Sequence, residues 1–318
     1  MMTPAPLRLF RLSLAAFVVA ATAMAAAAQS DDAKGVDAAR LDPHRIVSIG
    51  GSVTEILYAL GQQDRIVAVD TTSLYPPAAL KDKPNVGYMR QLSAEGVLSL
   101  SPTLILAVDG AGPKETVDVL RQAKVAFVAV PDVFTADGIV EKIEIVARSV
   151  GAAARGRCLA NAVRQDVAAL EKMRARIKTP MKIAFLLSLA NGRPLLAGRN
   201  TAADGIITLA GAKNAFDDFD GYKMVGDEAI IAAKPDAVLT MRREGLALSA
   251  DTVFAQPALA ATPAAQRKAF VAMEGLYLLG FGPRTVRAAR DLAAALYPDI
   301  GAQSLPSEAN AAPATCDQ

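Results

Sequence analysis

A pattern that occurs in both halves of the chain restricts the possible folds more than any other feature of the sequence. The first copy, Gly-Tyr-Met-Arg-Gln-Leu-Ser-Ala-Glu-Gly-Val-Leu-Ser-Leu-Ser-Pro, covers residues 87–102, and the second, Gly-Tyr-Lys-Met-Val-Gly-Asp-Glu-Ala-Ile-Ile-Ala-Ala-Lys-Pro, covers 221–235. In each copy a proline follows the glutamate after seven residues, and the two glutamates, Glu95 and Glu228, lie 133 positions apart. This repeat predicts two copies of one structural unit.

Short apolar runs alternate with helical stretches on both sides of the repeat. Strands are predicted over residues 45–50, 65–69, 103–108, 126–130, 182–187 and 237–241, with a loop over 188–199. Strands that are separated by helices favour parallel sheets with helices on their faces. In such sheets, ligands bind at the carboxyl ends of the strands.

A long helical segment separates the two halves. Val163, Val167, Leu170 and Ile177 recur at helical spacing, which predicts one helix from about residue 152 to 178. The sequence therefore predicts an α/β protein with two similar lobes, each with a central parallel sheet, joined by one long α-helix. The N-terminal lobe is predicted over residues 44–150, the linking helix over 151–179 and the C-terminal lobe over 180–300, with the ligand between the lobes and only modest opening.

The N-terminal segment predicts export. Residues 1–28 contain Arg8 and Arg11, no acidic residue, and an apolar run that ends in small residues, which is the pattern of a cleaved signal peptide. Residues 29–43 are predicted to form a polar lead, and residues 301–318 a disordered tail. Without residues 1–28 the chain has 32 basic and 32 acidic residues. This balance argues against a nucleic-acid-binding protein.

Histidine and cysteine are scarce, because His44, Cys158 and Cys316 are the only ones in the sequence. They cannot form a His-rich or Cys-rich metal site. His44 precedes the first strand, at the opposite end from the expected ligand, which weakens a Ser-His-Asp or Cys-His enzyme. The two cysteines could form a disulfide after export, or Cys158 could be buried while Cys316 stays free.

The Gly50-Gly51-Ser52 turn after the first strand has two interpretations. Ser52 and Glu55 have the spacing of a capping box, which predicts that a helix begins at residue 53. The backbone N–H groups of the turn could instead hold an anion, although the glycine and lysine pattern of a phosphate loop is missing. Gly198-Arg199-Asn200-Thr201 is the counterpart of this turn in the second half.

Tyr75 is the strongest candidate for a ligand-binding residue. It lies in the loop 70–77, after the second strand, and the neighbouring Pro76 and Pro77 restrict its conformation. A phenolate is a hard anionic oxygen donor that suits ferric iron, and tyrosine is a known axial ligand of haem. From position alone, an exposed loop tyrosine is more often an ordinary contact residue than a metal ligand.

Residues of other predicted loops could line the same cleft. They are Tyr88, Met89 and Arg90 from the first half, and Asn191, Arg193, Arg199, Tyr222, Lys223, Met224, Met241, Arg242 and Arg243 from the second. Methionine and tyrosine offer apolar contact, and arginine pairs with carboxylates through two parallel hydrogen bonds. Each residue could also be a solvated turn residue, but the combination suits a flat, apolar ligand that carries carboxylates.

The two repeat-related acids, Glu95 and Glu228, are each predicted at the start of a helix. A carboxylate there complements the helix dipole, which would explain both without any function. The alternative is that the pair forms matching charges that meet basic residues on a pseudo-symmetric partner.

Four segments together resemble the periplasmic haemin-binding receptors of bacterial haem ABC importers, which are class III periplasmic binding proteins. They are Arg45-Ile-Val-Ser-Ile-Gly-Gly-Ser-Val-Thr-Glu-Ile, Asp70-Thr-Thr-Ser-Leu-Tyr-Pro, Gly87-Tyr-Met-Arg-Gln-Leu-Ser-Ala-Glu-Gly and Gly198-Arg-Asn-Thr-Ala-Ala-Asp. The resemblance extends over about residues 44–300. The segments around Tyr75 and Tyr88 are the ones most specific to haem receptors, whereas the others are shared with vitamin B12 and siderophore receptors.

The resemblance implies a monomeric periplasmic receptor that takes part in iron uptake. It would bind ferric haem through an axial tyrosinate, Tyr75, and deliver it to an inner-membrane permease dimer with its ATPase. It would dock there through Glu95 and Glu228. Implied haem contacts are Tyr88, Met89, Arg90, Arg199, Tyr222, Met224, Arg242 and Arg243.

Two departures from the family pattern affect the expected site. Some members add a histidine ligand from the second lobe, and this chain has none there. Some place an arginine two residues after the tyrosine, where this chain has Pro77, so Arg242 or Arg243 is expected to support the phenolate instead. The number of bound haems, one or two, stays open.

Two other functions remain as alternatives. The nearest is a receptor for a ferric siderophore or for cobalamin, because these receptors share the same fold. The alternative of another class is an exported enzyme of unknown reaction, which the scarcity of histidine and cysteine disfavours.

Overall fold

A computed structural model describes residues 44–190, 192–243, 245, 248–301 and 305–306. The predicted signal peptide and polar lead, Asn191, and most of the predicted tail lie outside these residues. All described residues belong to one compact unit. Within the described ranges, no helix combines the length and the apolar character needed to cross a membrane.

The first lobe is built on a four-stranded parallel sheet in the order β2-β1-β3-β4. Its elements are β1 (Ile46–Ile49), α1 (Gly51–Ala59), β2 (Ile66–Val69), α2 (Ala78–Asp82), α3 (Ala94–Leu98), β3 (Leu104–Val108), α4 (Lys114–Gln122), β4 (Ala126–Val130) and α5 (Ala136–Ser149). The two central strands, β1 and β3, are fully or almost fully buried, as expected for a sheet with helices on both faces. His44 is exposed and precedes β1, as predicted.

The linking helix, α6 (Ala153–Arg174), is shorter than the predicted segment 151–179. The N–H groups of Arg176 and Ile177 bond to carbonyls three residues earlier, which tightens the chain into a turn beyond the helix. Ile177 nevertheless packs against the core. Cys158, on α6, is disulfide-bonded, so it is not a free buried thiol. Cys316, the other cysteine of the sequence, lies outside the described residues.

The second lobe repeats this plan and adds an antiparallel extension. Its elements are β5 (Lys182–Ala190), β6 (Arg193–Ala197), α7 (Ala202–Leu209), β7 (Lys213–Asn214), β8 (Tyr222–Met224), α8 (Asp227–Ala233), β9 (Ala237–Arg242), α9 (Ala250–Phe254), α10 (Pro257–Ala260), α11 (Pro263–Gln266), β10 (Phe270–Glu274), α12 (Gly275–Leu279) and α13 (Thr285–Leu296). The strand order is β10-β9-β5-β6-β8, and β7 also pairs with β5.

Strand pairing confirms the predicted repeat of two similar lobes. In the first lobe, β3 follows α3 and lies between β1 and β4, all parallel. In the second lobe, β9 follows α8 and lies between β5 and β10, again parallel. The predicted loop 188–199 is wrong, because β5 continues to residue 190 and pairs with β6 in an antiparallel hairpin.

One hydrophobic core extends through both lobes. It contains Ile46 and Leu106 from the first lobe, Phe185 and Leu278 from the second, and residues of α6 and α13. Leu305 lies in the tail predicted to be disordered, but its side chain is buried in this core. Burial removes the apolar surface of the leucine from water, which favours packing at this position. The lobes are therefore packed on each other as well as joined by α6.

Candidate functional site

A buried carboxylate fixes the loop that carries Tyr75. Asp70, directly after β2, accepts hydrogen bonds from the Gly50 N–H at 2.8 Å and from the Thr72 N–H and hydroxyl at 2.9 and 2.7 Å. Thr72 Oγ1 in turn accepts from the Gly51 N–H at 2.9 Å. The N–H groups of Gly50 and Gly51 are therefore used within the protein and are not available to an external anion.

A chain of hydroxyl groups holds the next part of the loop. Ser48 Oγ and Thr54 Oγ1 lie 2.7 Å apart, and Thr54 Oγ1 lies 2.7 Å from Ser73 Oγ. All three residues are buried. Buried hydroxyls with satisfied hydrogen bonds resist displacement. The backbone at Ser73, two residues before Tyr75, is therefore held in place.

Tyr75 lies 41% exposed at the carboxyl end of β2. The guanidinium carbon of Arg284 lies 3.5 Å from the centroid of its ring and 5.3 Å from the centroid of the Tyr277 ring. Both distances fall within the range of cation–π attraction. Within the part of the chain that the structure describes, no group forms a hydrogen bond with the Tyr75 hydroxyl.

The arginine that contacts Tyr75 is therefore Arg284. The sequence predicts Arg242 or Arg243 in this role instead. Arg284 immediately precedes α13 in the second lobe, so it reaches Tyr75 from the opposite lobe. Arg242 is exposed at the end of β9, and Arg243 is exposed directly after it.

Glu55 holds Arg284 in this position. Its side chain, on α1, accepts from the Arg284 backbone N–H at 3.1 Å and from the guanidinium at 3.0 Å. Burial raises the pKa of Glu55, and the hydrogen bonds and charge of Arg284 oppose this rise. The predicted capping box is wrong, because α1 begins at Gly51, and Ser52 and Glu55 face the interior.

The space next to Tyr75 is a cavity of about 470 Å³ between the lobes. It is lined by Leu74 and Tyr75 from the first lobe and by Glu274, Tyr277 and Arg284 from the second. Glu274 ends β10, so the cavity lies at the carboxyl ends of strands in both lobes, where the sequence predicted the ligand.

The other tyrosine of the cavity has a different role. The Tyr277 hydroxyl donates to Asp291 at 2.8 Å. Burial, and then the hydrogen bond and charge of Asp291, raise the pKa of Tyr277 well above its ordinary value. The hydroxyl of Tyr277 is therefore held by Asp291, whereas that of Tyr75 has no hydrogen-bond partner among the described residues.

The two Gly-Tyr pairs of the repeat have similar local structure in the two lobes. Tyr88 and Tyr222 are both exposed. Each follows a glycine with positive φ, a backbone conformation that residues with a side chain rarely adopt. Burial raises the pKa of Tyr222, while a hydrogen bond with the Thr201 side chain and the charge of Arg90 lower it. Arg90 belongs to the first lobe, so the lobes approach each other here as well.

The remaining predicted contact residues do not form one group. Met224 is exposed and lies on the same side of β8 as Tyr222. Met89 is half-buried and packs against the hydrophobic core. Arg199 forms an ion pair with Asp220 at 3.1 Å within its own lobe.

The two repeat-related acids occupy equivalent positions. Glu95 is the second residue of α3 and Glu228 the second residue of α8, and both side chains are exposed. Their carboxylates thus lie in the first turns of the corresponding helices of the two lobes. Among the described residues, no group of three or more His, Cys, Asp or Glu side chains could hold a metal ion.

The comparison with known proteins gives a family and several relatives. The family described as "Periplasmic binding protein" matches residues 46–275. The solved structure of a periplasmic haem-binding protein from Roseiflexus sp. RS-1, in apo form, is 40% identical, with a TM-score of 0.76. The match covers 81% of this chain and 99% of that one.

Two sequence relatives have names of different kinds. An uncharacterised ABC transporter substrate-binding lipoprotein of Bacillus subtilis is 28% identical over 81% of each chain. A vitamin B12-binding protein of Vibrio parahaemolyticus is 26% identical over 67% of this chain and 74% of its own.

Proposed function

Because the chain belongs to the periplasmic binding protein family, we propose that it is a receptor that binds ferric haem between its two lobes. It then delivers the haem to an inner-membrane ABC permease with its ATPase. It is a carrier and not an enzyme, and it acts in the periplasm after cleavage of residues 1–28.

The observation that carries this proposal is the pair formed by Tyr75 and Arg284. A partly exposed phenol stands at an interlobe cavity, and a guanidinium lies 3.5 Å from its ring centroid. A phenolate is a hard donor that suits Fe³⁺, and tyrosine is a known axial ligand of haem. Tyr75 is thus the proposed axial ligand of the haem iron.

The composition of the cleft is compatible with a flat ligand that bears carboxylates. Tyr88, Tyr222 and Met224 expose apolar surface that would cover the ring, and the half-buried Met89 is a further proposed contact. Arg90, Arg199, Arg242 and Arg243 are exposed cations that would pair with the propionates. Of these, Arg199 would first have to exchange its partner Asp220.

Docking to the permease is proposed to use Glu95 and Glu228. Their equivalent, exposed positions on α3 and α8 present one carboxylate per lobe to a partner with matching pseudo-symmetry. The relative from Bacillus subtilis, which is named as an ABC transporter substrate-binding protein, supports a partner of this kind.

Cobalamin is the second candidate ligand, because a sequence relative is named as a vitamin B12-binding protein. Haem is favoured because the relative named as haem-binding is 40% identical, against 26% for the B12-binding protein. A corrin also brings its own cobalt ligands, so it would make no use of a phenolate next to an arginine.

Titration of the purified protein with haemin, cyanocobalamin and a ferric siderophore tests the proposal. We expect saturable haemin binding with the absorption spectrum of a high-spin tyrosinate complex, and no displacement of haemin by the other two ligands. The same titration counts the haems bound per chain. Saturable binding of cyanocobalamin without binding of haemin would replace the proposal by its alternative.

A further inference from the structure

We propose that Glu55 is a positioning residue for the iron ligand: it fixes Arg284 against the ring of Tyr75 and thereby sets the orientation of the phenol. Its effect on bound haem rests on the proposed function, whereas its effect on Tyr75 in the free protein does not.

The contacts of Glu55 restrain both ends of Arg284. One carboxylate oxygen accepts from the backbone N–H of Arg284 at 3.1 Å and the other from its guanidinium at 3.0 Å. Glu55 belongs to the first lobe and Arg284 to the second, and 229 positions separate them. The pair therefore fixes a residue of one lobe at the ligand residue of the other.

Few other contacts orient the guanidinium. Its Nε is buried and has no hydrogen-bond partner among the described residues. Apart from the rings of Tyr75 and Tyr277, the ion pair with Glu55 is the contact that the structure gives for this group. Because an arginine side chain has many rotamers, loss of the carboxylate would release it from the Tyr75 ring.

The surroundings of Glu55 indicate a specific role for its charge. Glu55 as a whole residue is 5% exposed, and a Cβ at Gly282 would lie 3.4 Å from its carboxyl carbon, so the second lobe closes directly over it. A buried ion pair adds little stability compared with apolar side chains of the same volume. An apolar residue at position 55 would pack on α1 equally well. The presence of a carboxylate there is therefore explained by its hydrogen bonds with Arg284, which hold that arginine in position.

Two variants of Glu55 and a matched control test the proposal. Glu55→Met keeps the volume and removes both acceptors, and Glu55→Gln keeps one acceptor without the charge. The control is Asp132→Asn, which removes the carboxylate of another ion pair of the same lobe, 2.6 Å from the fully buried Lys142. Arg284→Lys is a further variant, which keeps the charge and the buried counter-ion but not the planar group.

The first readout uses the free protein labelled with ¹³C-tyrosine. The sequence contains six tyrosines, and Tyr75→Phe assigns the signal of Tyr75. We expect this signal to shift in Glu55→Met, to shift less in Glu55→Gln, and to stay in place in Asp132→Asn. Arg284→Lys should also shift this signal, because it replaces the group on the ring, and Glu55→Gln keeps the test decisive if Glu55→Met does not fold.

The second readout is the haemin complex of the same variants. We expect Glu55→Met to lose or shift the tyrosinate absorption and to weaken haemin binding by about 10- to 100-fold, as is typical for residues that orient a metal ligand. An unchanged Tyr75 signal in Glu55→Met or Arg284→Lys, or an equal shift in Asp132→Asn, would overturn the proposal. If wild-type protein binds no haemin, the proposed function fails, and the signal of Tyr75 still decides this inference.

Discussion

Arg284 of the second lobe donates to the carboxylate of Glu55 in the first lobe at 3.0 Å, next to the ring of Tyr75. The pair is mostly buried, with side-chain exposures of 20% for Arg284 and 6% for Glu55. It joins the lobes at the candidate site, so its energetics bear on both stability and ligand binding.

Removal of one partner of the Glu55–Arg284 ion pair should lower the free energy of unfolding more than removal of both partners. Arg284→Met leaves the Glu55 carboxylate buried without its cation, and we expect a loss of about 3 kcal/mol in the free energy of unfolding at neutral pH. Addition of Glu55→Met should restore most of this loss, because an apolar pair fits the same space. Urea unfolding measures both.

Arg164→Met is the control for this cycle. It breaks a solvent-exposed ion pair with Glu144 and should change the free energy of unfolding by less than about 1 kcal/mol. Strictly additive effects of the two substitutions at Glu55 and Arg284 would contradict the expected coupling.

Stability should depend on pH through Glu55. Burial raises its pKa above the ordinary value of 4.5, the charge of Glu274 adds to the rise, and Arg284 opposes it. The folded state therefore holds the Glu55 proton more tightly than the unfolded state. This contribution to stability is present below pH 4.5 and is lost as the pH rises through the raised pKa.

Urea unfolding of wild type and Glu55→Gln across pH 4 to 8 isolates this group. The free energy of unfolding of wild type, minus that of the variant, should fall with rising pH by at most about 1.4 kcal/mol per pH unit. A difference that grows with pH would mean that Arg284 outweighs burial and lowers the pKa.

Gly51 should tolerate no side chain. A Cβ there would collide with the Thr72 carbonyl oxygen and would lie 2.6 Å from Leu276 Cδ1 of the second lobe. We expect Gly51→Ala to lower the free energy of unfolding by about 1–3 kcal/mol, and to weaken haemin binding because Thr72 belongs to the loop of Tyr75.

Gly96→Ala is the matched control. It also lies in a helix of the first lobe, and its Cβ would meet only ordinary contacts, the nearest 3.6 Å away. It should raise the free energy of unfolding by about 0.5–1 kcal/mol, because alanine favours helix more than glycine does. Equal effects of the two substitutions would show that the close approach at Gly51 does not limit packing.

The predicted features of the fold are those that local sequence patterns report. Apolar runs and helical spacing predict the parallel strands and α6, and the repeat predicts the equivalence of Glu95 and Glu228. The neighbouring prolines and the end of the second strand predict Tyr75 at the ligand edge, and in the structure it lines the cavity between the lobes. The hairpin of β5 and β6 is absent from the prediction, although Asn191-Gly192 between these strands is a dipeptide typical of two-residue hairpin turns.

The partners of Tyr75 show the limit of such patterns. Glu55 has the spacing of a capping box, which explains it by local sequence alone. Its buried contact with Arg284, 229 positions away, is not predicted by any local pattern. Arg284 follows Phe281-Gly282-Pro283, a turn before a helix with no binding motif. The sequence offers Arg242 or Arg243 in place of the arginine missing at Pro77, but only folding of the second lobe onto the first brings Arg284 to the tyrosine.

Charge reversal at the repeat-related acids should affect delivery. We expect Glu95→Lys and Glu228→Lys each to reduce haem uptake by cells or by proteoliposomes that contain the permease, and the double variant to abolish it, because each places a cation against a basic partner surface. Glu141→Lys reverses an exposed charge on α5 and serves as the control. Full uptake with the double variant would remove both glutamates from the docking surface.

The central claim is that the oxygen of Tyr75 binds the iron of ferric haem, and resonance Raman spectroscopy of the haemin complex tests it most directly. We predict tyrosinate vibrations in wild type and in the control Tyr58→Phe, on α1, and their complete loss in Tyr75→Phe. Persistence of these vibrations in Tyr75→Phe, or their absence from wild type with haemin bound, would contradict the claim.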